Sequence, residues 1–421
     1  MPENNGNGAS ADSQYAGKLK ISVTSTLGLI PVQNATIKIT YTDNPSITYE
    51  QLSTNSSGQT PTVDLPAPPL EYSMEPSEVR PYSEYNIEVS AQGYEPALIR
   101  GTEVLPDATA LQQVQLIPQE IEREAEEIIT IPDHTLYGEY PPKIPEDEIK
   151  PMDESGEIVL SRVVIPEYVV VHDGVPSDTS AQNYYVRYRD YIKNVASSEI
   201  YATWPENAIY ANILAIMSVT LNRVYTEWYR NKGYDFTITS STAYDQKWIY
   251  GRNIYANIDT IVDNIFANYL SRPGVRQPIF TSYCDGQRVT CNGLSQWGSK
   301  YLGEEGYTPT EIIRYYFGND MYINTAESVS GVPSSYPGYA LDIGSSGERV
   351  RQMQQQLNRI AQNYPAIPTV TEDGIYGPRT QEAVRTFQGI FNLPQTGVVD
   401  YPTWYSISNI YVGVSRIAEP T

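Results

Sequence analysis

The sequence predicts a multidomain chain, with an N-terminal β-sandwich, a central α+β domain and a compact C-terminal helical unit. Three observations predict it. A length of 421 residues exceeds one ordinary domain. The hydrophobic pattern alternates with period two in the first third of the chain and shifts to spacings of three and four beyond Val163. Proline-punctuated stretches separate the patterned regions.

Residues 1–16 are polar and read as a disordered tail with no apolar signal core, so synthesis in a cytoplasm without export by the usual route is expected. Over 17–118, Leu19, Ile21 and Val23, then Ile37, Ile39 and Tyr41, alternate with polar residues as half-buried strands do. Ser56-Ser57-Gly58-Gln59 and Pro66-Ala67-Pro68-Pro69 are turns, and strand patterns return at Tyr85–Val89 and Val114–Ile117. This region is expected to form a small antiparallel sandwich. Residues 119–160 carry Glu120, Glu122, Glu124, Glu126 and Glu127, then Pro132, Pro141, Pro142, Pro145 and Pro151. Such acidic, proline-rich stretches bury too little surface to fold alone and serve as linkers or extended arms.

The α+β domain spans 161–325. Ile192, Val195, Ala196 and Ile200 have helical spacing, and a longer helix after Pro205 carries Ile209, Ile213, Ile216, Met217, Val224 and Trp228 down one side. A third runs from Ile258 to Tyr269, while Phe236–Thr239 and Pro278–Thr281 read as strands. A Ser-, Pro- and Gly-rich linker occupies 326–340. In 341–413, Val350, Met353, Leu357 and Ile360 line one helix, and Ala383, Val384, Phe387 and Phe391 line another. Asp373-Gly374-Ile375-Tyr376-Gly377-Pro378-Arg379 turns between them, and 414–421 is a tail.

Composition narrows the partners. With 28 Lys+Arg against 50 Asp+Glu the formal charge is −22, which excludes the basic footprint of a nucleic-acid binder and disfavours an anionic membrane. No apolar run approaches the ~20 residues that span a bilayer. The 36 tyrosines suit sugar surfaces, or simply Tyr-rich strands. With only His134 and His172, neither near a nucleophile motif, Ser-His-Asp and Cys-His catalysis lack their base.

Several motifs carry resemblances. Gly347 and its helix, Asp373–Gly377, Ala383–Gln388 and Leu393–Trp404 together resemble the peptidoglycan-binding domain-1 family, which implies a three-helix wall-binding module using Asp373, Tyr376 and Arg379. Tyr191–Ile200, Trp204–Ala208, Ser240–Gln246, Gly293–Gly298 and Tyr315–Gly318 resemble the SpoIID/LytB family. The N-terminal stretch around Ser90–Pro96 resembles carboxypeptidase-regulatory-like sandwiches. The whole order is similar to the spore cortex-lytic enzymes. That resemblance implies a precursor made in the mother cell without a signal peptide and stored at the spore cortex. It also implies a subtilisin-like germination protease that removes the pro-region by cutting the linker, leaving a lytic transglycosylase acting on cortex peptidoglycan.

Breaking a glycosidic bond needs a proton for the leaving oxygen, and a lytic transglycosylase, in which the sugar's own 6-hydroxyl attacks, can manage with one acid. Glu199 fits. It ends a helix after small Ala196, Ser197 and Ser198, and apolar Ile200, Tyr201 and Trp204 would raise its pKa; the plain alternative is a solvated helix glutamate. Tyr244, Asp245, Gln246, Tyr283, Ser295 and Gln296 are the expected substrate contacts, and Trp297 either stacks on a sugar or fills the core. Some relatives bind zinc near Cys284 and Cys291 through an added histidine; zinc, a disulfide and free thiols all remain open here. The pro-region is expected to act sterically, covering the sugar groove. A non-catalytic wall-binding or amidase-stimulating protein and a hydrolytic glycosidase are the competing functions.

Overall fold

A computed structural model describes residues 15–26, 29–119, 127–150, 162–331, 334 and 336–415. The expected tail over 1–14, the acidic run 120–126 and the segment 151–161 lie outside the described residues, as does 416–421. The chain is a multidomain α+β protein with several sheets and, among the described residues, nine α-helices. No helix among them is long and apolar enough to cross a membrane.

The N-terminal region forms two sheets whose alternate residues meet in one core: Leu19, Ile21 and Val23 from one, Ile37, Ile39, Ile87 and Ile99 from the other, all fully buried. The expected purely antiparallel pairing is corrected. Ala16–Ser25 runs parallel to Thr109–Leu116, and Ala97–Val104 pairs in parallel with Glu127–Thr130. Two pairings cross the expected boundaries: Glu127–Thr130, from the stretch expected to be linker, joins Ala97–Val104, and Ile254–Tyr255, from the central region, pairs with Thr109–Leu116.

The central region is built on the helix Glu206–Tyr225. It is buried on nearly every side rather than along one stripe, which is why its apolar residues do not follow a clean helical period. The shorter helix Tyr188–Glu199 packs beside it and ends with Glu199, after which Ile200 turns to extended backbone. Pro278–Thr281 is not a strand; Tyr283–Cys284 is, paired with Leu294–Ser295. Two helices the pattern did not announce, Gln296–Glu304 and Pro309–Phe317, complete the region, the second opened by a Thr308–Glu311 capping box. The C-terminal unit has the expected three helices, Glu348–Ala361, Pro378–Ile390 and Tyr401–Ser415.

The regions are not beads on tethers. Glu103 of the N-terminal sheets, 1% exposed, pairs with Arg252 at 2.8 Å, and Asn253 exchanges two hydrogen bonds with the Glu103 backbone. Burial pushes the Glu103 carboxyl up to about 7 against the pull of Arg252. The C-terminal unit is seated by Phe266 against Tyr401 and Tyr405 and by Arg189 donating to the Tyr405 carbonyl.

The linker is likewise corrected. Residues 131–150 form a strap bound along the central region. Thr135 donates its N–H and its hydroxyl to the Ser198 carbonyl, Ile144 N–H bonds the Ala243 carbonyl, and Phe280 N–H bonds the Glu148 carbonyl. These backbone bonds, and the ion pairs described below, give an acidic proline-rich segment the partners it cannot supply itself.

Candidate active site

Glu199 is placed by its helix and by what locks that helix. Lys193, one turn and a half earlier, is buried and bonds Asp259 at 2.6 Å and Asp263 at 2.8 Å on the helix Ala256–Ile265. Asn194 forks onto Ile249, donating to its carbonyl and accepting its N–H, which fixes the turn after Gln246. That turn presents Lys247 N–H to Glu199 Oε1 at 2.7 Å, while Tyr283 O–H donates to Oε2 at 2.6 Å.

The carboxyl is 3% exposed, and burial raises its pKa above the ordinary glutamate value. Its position at the negative end of a helix works in the same direction. Lys143 of the strap, then Lys247 N–H and Tyr283 O–H, oppose the rise by favouring the carboxylate.

Glu199 lies on a cleft of about 670 Å³ with Tyr283, Gln296, Thr242, Asp285 and Arg288 on the central side. The opposite wall is the strap, contributing Thr135, Tyr137, Tyr140 and Lys143. Lys143 donates to the Asp245 carbonyl at 2.7 Å and lies 4.3 Å from the centre of the Tyr283 ring.

Of the expected substrate contacts, Tyr283 and Gln296 line this cleft. Gln246 does not: it is fully buried behind Tyr283, donating to the tyrosine oxygen at 3.0 Å and to the Ile216 carbonyl. Asp245 is withdrawn too. Its buried carboxylate takes four hydrogen bonds, from Arg223, Tyr229 and twice from Thr239, which turn it into the fold and away from a sugar hydroxyl. Tyr244 is outside the cleft and offers its carbonyl to Arg223. Ser295, expected to let backbone approach a ligand, instead caps the helix Gln296–Glu304 by accepting Gly298 N–H. Trp297 is core, 2% exposed and packed on Trp204 and Tyr201.

Cys284 and Cys291 form a disulfide with Cα atoms 6.1 Å apart, so the free thiolates a zinc site would need are absent. No group of three His, Cys, Asp or Glu suited to a metal occurs among the described residues. The bridge closes the loop that carries Asp285 and Arg288 to the cleft wall. His134 is buried and spent on the Ile200 carbonyl. Sequence reasoning missed Lys143 and Arg288, which carry no local motif, and passed over Thr242 within the Ser240–Gln246 stretch in favour of its neighbours.

Residues 346–407 match the family described as a putative peptidoglycan binding domain. The C-terminal unit is a peptidoglycan-binding module, and peptidoglycan is therefore a partner of this chain. No curated protein matches the chain. Among solved structures it is similar to the Bacillus anthracis TIE protein (16% identity, TM-score 0.18, 25% of this chain and 17% of that one). It is also similar to GBS52, the minor pilin of Streptococcus agalactiae (11%, 0.19, 27% and 49%), and to catechol 1,2-dioxygenase of Acinetobacter sp. ADP1 (12%, 0.17, 29% and 61%). The chain thus spans less than two thirds of each, and likeness this slight identifies neither a shared fold nor a function.

Within the peptidoglycan-binding module, Asp373 and Tyr376 hold the architecture. Asp373 accepts Ile375 N–H and the Gln354 amide, and buried Tyr376 donates to the Gly397 carbonyl. Arg379 bonds the Thr369 carbonyl from the surface.

Proposed function

We propose that this chain is the latent form of a lytic transglycosylase that cuts the glycan backbone of spore cortex peptidoglycan during germination. The carrying observation is Glu199, buried on the cleft, with a raised pKa and both oxygens oriented by Tyr283 and Lys247. The peptidoglycan-binding module brings the polymer, and the resemblance of Tyr191–Ile200 and Gly293–Gly298 to the SpoIID/LytB family points to the same reaction.

In this reading protonated Glu199 gives its proton to the glycosidic oxygen as the bond from that oxygen to the muramic C1 breaks. The oxocarbenium-like carbon is attacked by the same sugar's 6-hydroxyl, whose proton returns to the Glu199 carboxylate, leaving a 1,6-anhydro end. A single acid suffices, and the cleft supplies little else. Its other carboxylates are Glu78, Asp133 and Glu139, all N-terminal to the proposed cut, and Asp285, which accepts N–H groups of its own loop. Among the described residues, removal of the N-terminal part would leave Asp285 as the one other carboxylate on the cleft, which favours transglycosylation over a two-carboxyl hydrolysis.

Latency follows from the strap. It fills one side of the cleft, and the Lys143 ammonium draws Glu199 toward the carboxylate, the form that cannot donate. Cutting after Lys150, by the subtilisin-like protease that the resemblance implies, would release both effects. A disulfide beside the site suits a protein that works outside a reducing cytoplasm.

The test uses the full chain carrying a specific protease site between Lys150 and Arg162, with turbidity of purified cortex as readout. After cutting, the wild type should clear the suspension. Glu199→Gln should lose ~10²–10⁴ of the rate while still sedimenting with wall. A Glu199→Gln protein that clears cortex normally would leave only the adhesive or amidase-stimulating function.

A further inference from the structure

Beyond Lys143 the strap carries two carboxylates that are held far more firmly than a tether requires. Glu146 receives Arg223 in a fork, Nη1 to Oε2 at 2.9 Å and Nη2 to Oε1 at 2.6 Å. Glu148 receives Arg272 in a second fork, Nε to Oε1 at 2.5 Å and Nη2 to Oε2 at 2.8 Å. Paired parallel bonds of this kind are how guanidinium groups recognise carboxylates.

Both arginines belong to the central region and stay behind when the strap leaves. Arg223 is the more constrained. Its side chain is fully buried, its Nε is fixed on Asp245 at 2.6 Å, and its guanidinium lies 4.5 Å from the centre of the Phe280 ring. Among the described residues, loss of Glu146 would leave Nη1 without a carboxylate and Asp245 as the one carboxylate compensating a desolvated cation, a state that favours capture of another anion. Arg272 would keep Asp320 on Nη1 and present Nε and Nη2.

Position ties these sites to the cleft. Lys143 stands beside Glu199, and Glu148 follows it by five residue steps, a reach of at most about 18 Å. Both receptors therefore lie beneath the same strap that reaches the acid. Residues 151–421 keep 20 Lys+Arg against 27 Asp+Glu, so a released protein that is still net negative needs local cations of this kind to hold a carboxylate-bearing polymer.

We propose that Arg223 and Arg272 form a carboxylate-binding track leading away from Glu199. Glu146 and Glu148 occupy it as stand-ins, and in the released protein it takes carboxylates of the wall polymer. This rests on the reading of the cleft as a glycan site. The carboxylates come either from stem peptides or from the lactyl groups of stem-free muramic acid.

The test measures binding of soluble glycan strands to the full chain cut between Lys150 and Arg162, by fluorescence anisotropy. Three strand preparations are compared: stem-bearing, stem-free, and stem-bearing with carboxyls converted to neutral amides. The cut wild type should bind at least one carboxylate-bearing preparation roughly tenfold or more tightly than the amidated strands, as one lost bidentate pair implies. Whichever preparation shows the preference names the source. Arg272→Gln should bring the ratio toward one, and Arg272→Lys should recover part of it. A wild-type ratio near one overturns the track without any variant having to fold, as does a ratio that Arg272→Gln leaves unchanged. Digestion of the same strands is scored separately: cut protein that prefers carboxylates yet cleaves nothing counts against the transglycosylase, and one that cleaves without preference counts against the track alone.

Discussion

Replacing Glu146 by Ala in the intact chain should switch it on without proteolysis. Glu146 is the strap's strongest anchor: its half-buried carboxylate is held well down, near 2, because Arg223 and Lys150 outweigh its burial. Removing one partner of a buried ion pair typically costs ~3–5 kcal/mol, since the stranded Arg223 cation adds its desolvation to the lost bonds. At 1.4 kcal/mol per tenfold, ~4 kcal/mol shifts the balance between closed and lifted strap on the order of a thousandfold. Basal clearing of cortex by the uncut Glu146→Ala protein should rise by about that factor, up to the ceiling set by the cut enzyme. Turbidity loss and release of soluble fragments provide the assay. Cutting after Lys150 supplies the control, because it detaches residue 146 and leaves variant and wild type with the same catalytic fragment. If cut variant and cut wild type run equally while the uncut variant stays as silent as the uncut parent, the strap is not what holds the enzyme off.

Two further outcomes concern protons. Tyr283→Phe removes a donor to the Glu199 carboxylate, so the Glu199 pKa should rise further and the alkaline limb of kcat/KM should move to higher pH, with a lower maximum; a limb that moves to lower pH contradicts the assignment of Glu199 as the acid. The contact between the N-terminal sheets and the central region depends on Glu103, whose carboxyl sits at about 7 when buried and near the ordinary glutamate value once released. The associated state therefore holds the extra proton, so association is favoured below about pH 4.5 and weakens as pH rises toward 7. After cutting, the N-terminal fragment should separate more readily at pH 7 than at pH 5 by size-exclusion chromatography, and Glu103→Gln should flatten that dependence.

Much of this was legible in the sequence where the signal is local. The period-two runs at Leu19–Val23 and Ile37–Ile39 became buried strand faces, and the spacing of Ile192, Val195 and Ala196 became the helix that carries Glu199. Glu199 was singled out by the SpoIID/LytB resemblance together with the small and apolar residues around it, and the fold brings it and Tyr283 to one cleft. What failed was non-local. Nothing around Glu146 announces a partner 77 residues away, so an acidic proline-rich segment read as a tether when distant arginines make it a strap. Asp245 and Gln246 looked like sugar ligands because polar motifs in loops often are. Their side chains are instead consumed by Arg223, Tyr229, Thr239 and Tyr283, partners that only the folded chain assembles. Ile254–Tyr255 is too short a strand for any period to show, and it joins a sheet formed by residues far upstream.

The most direct test is the chemistry of the cut ends. Cortex digested by the cut chain, separated and weighed by mass spectrometry, should carry 1,6-anhydromuramic termini in step with the clearing of the suspension. Reducing muramic or glucosamine ends in their place would mean that water, not the sugar's own hydroxyl, completes the reaction, and the one-acid account of this cleft would be wrong.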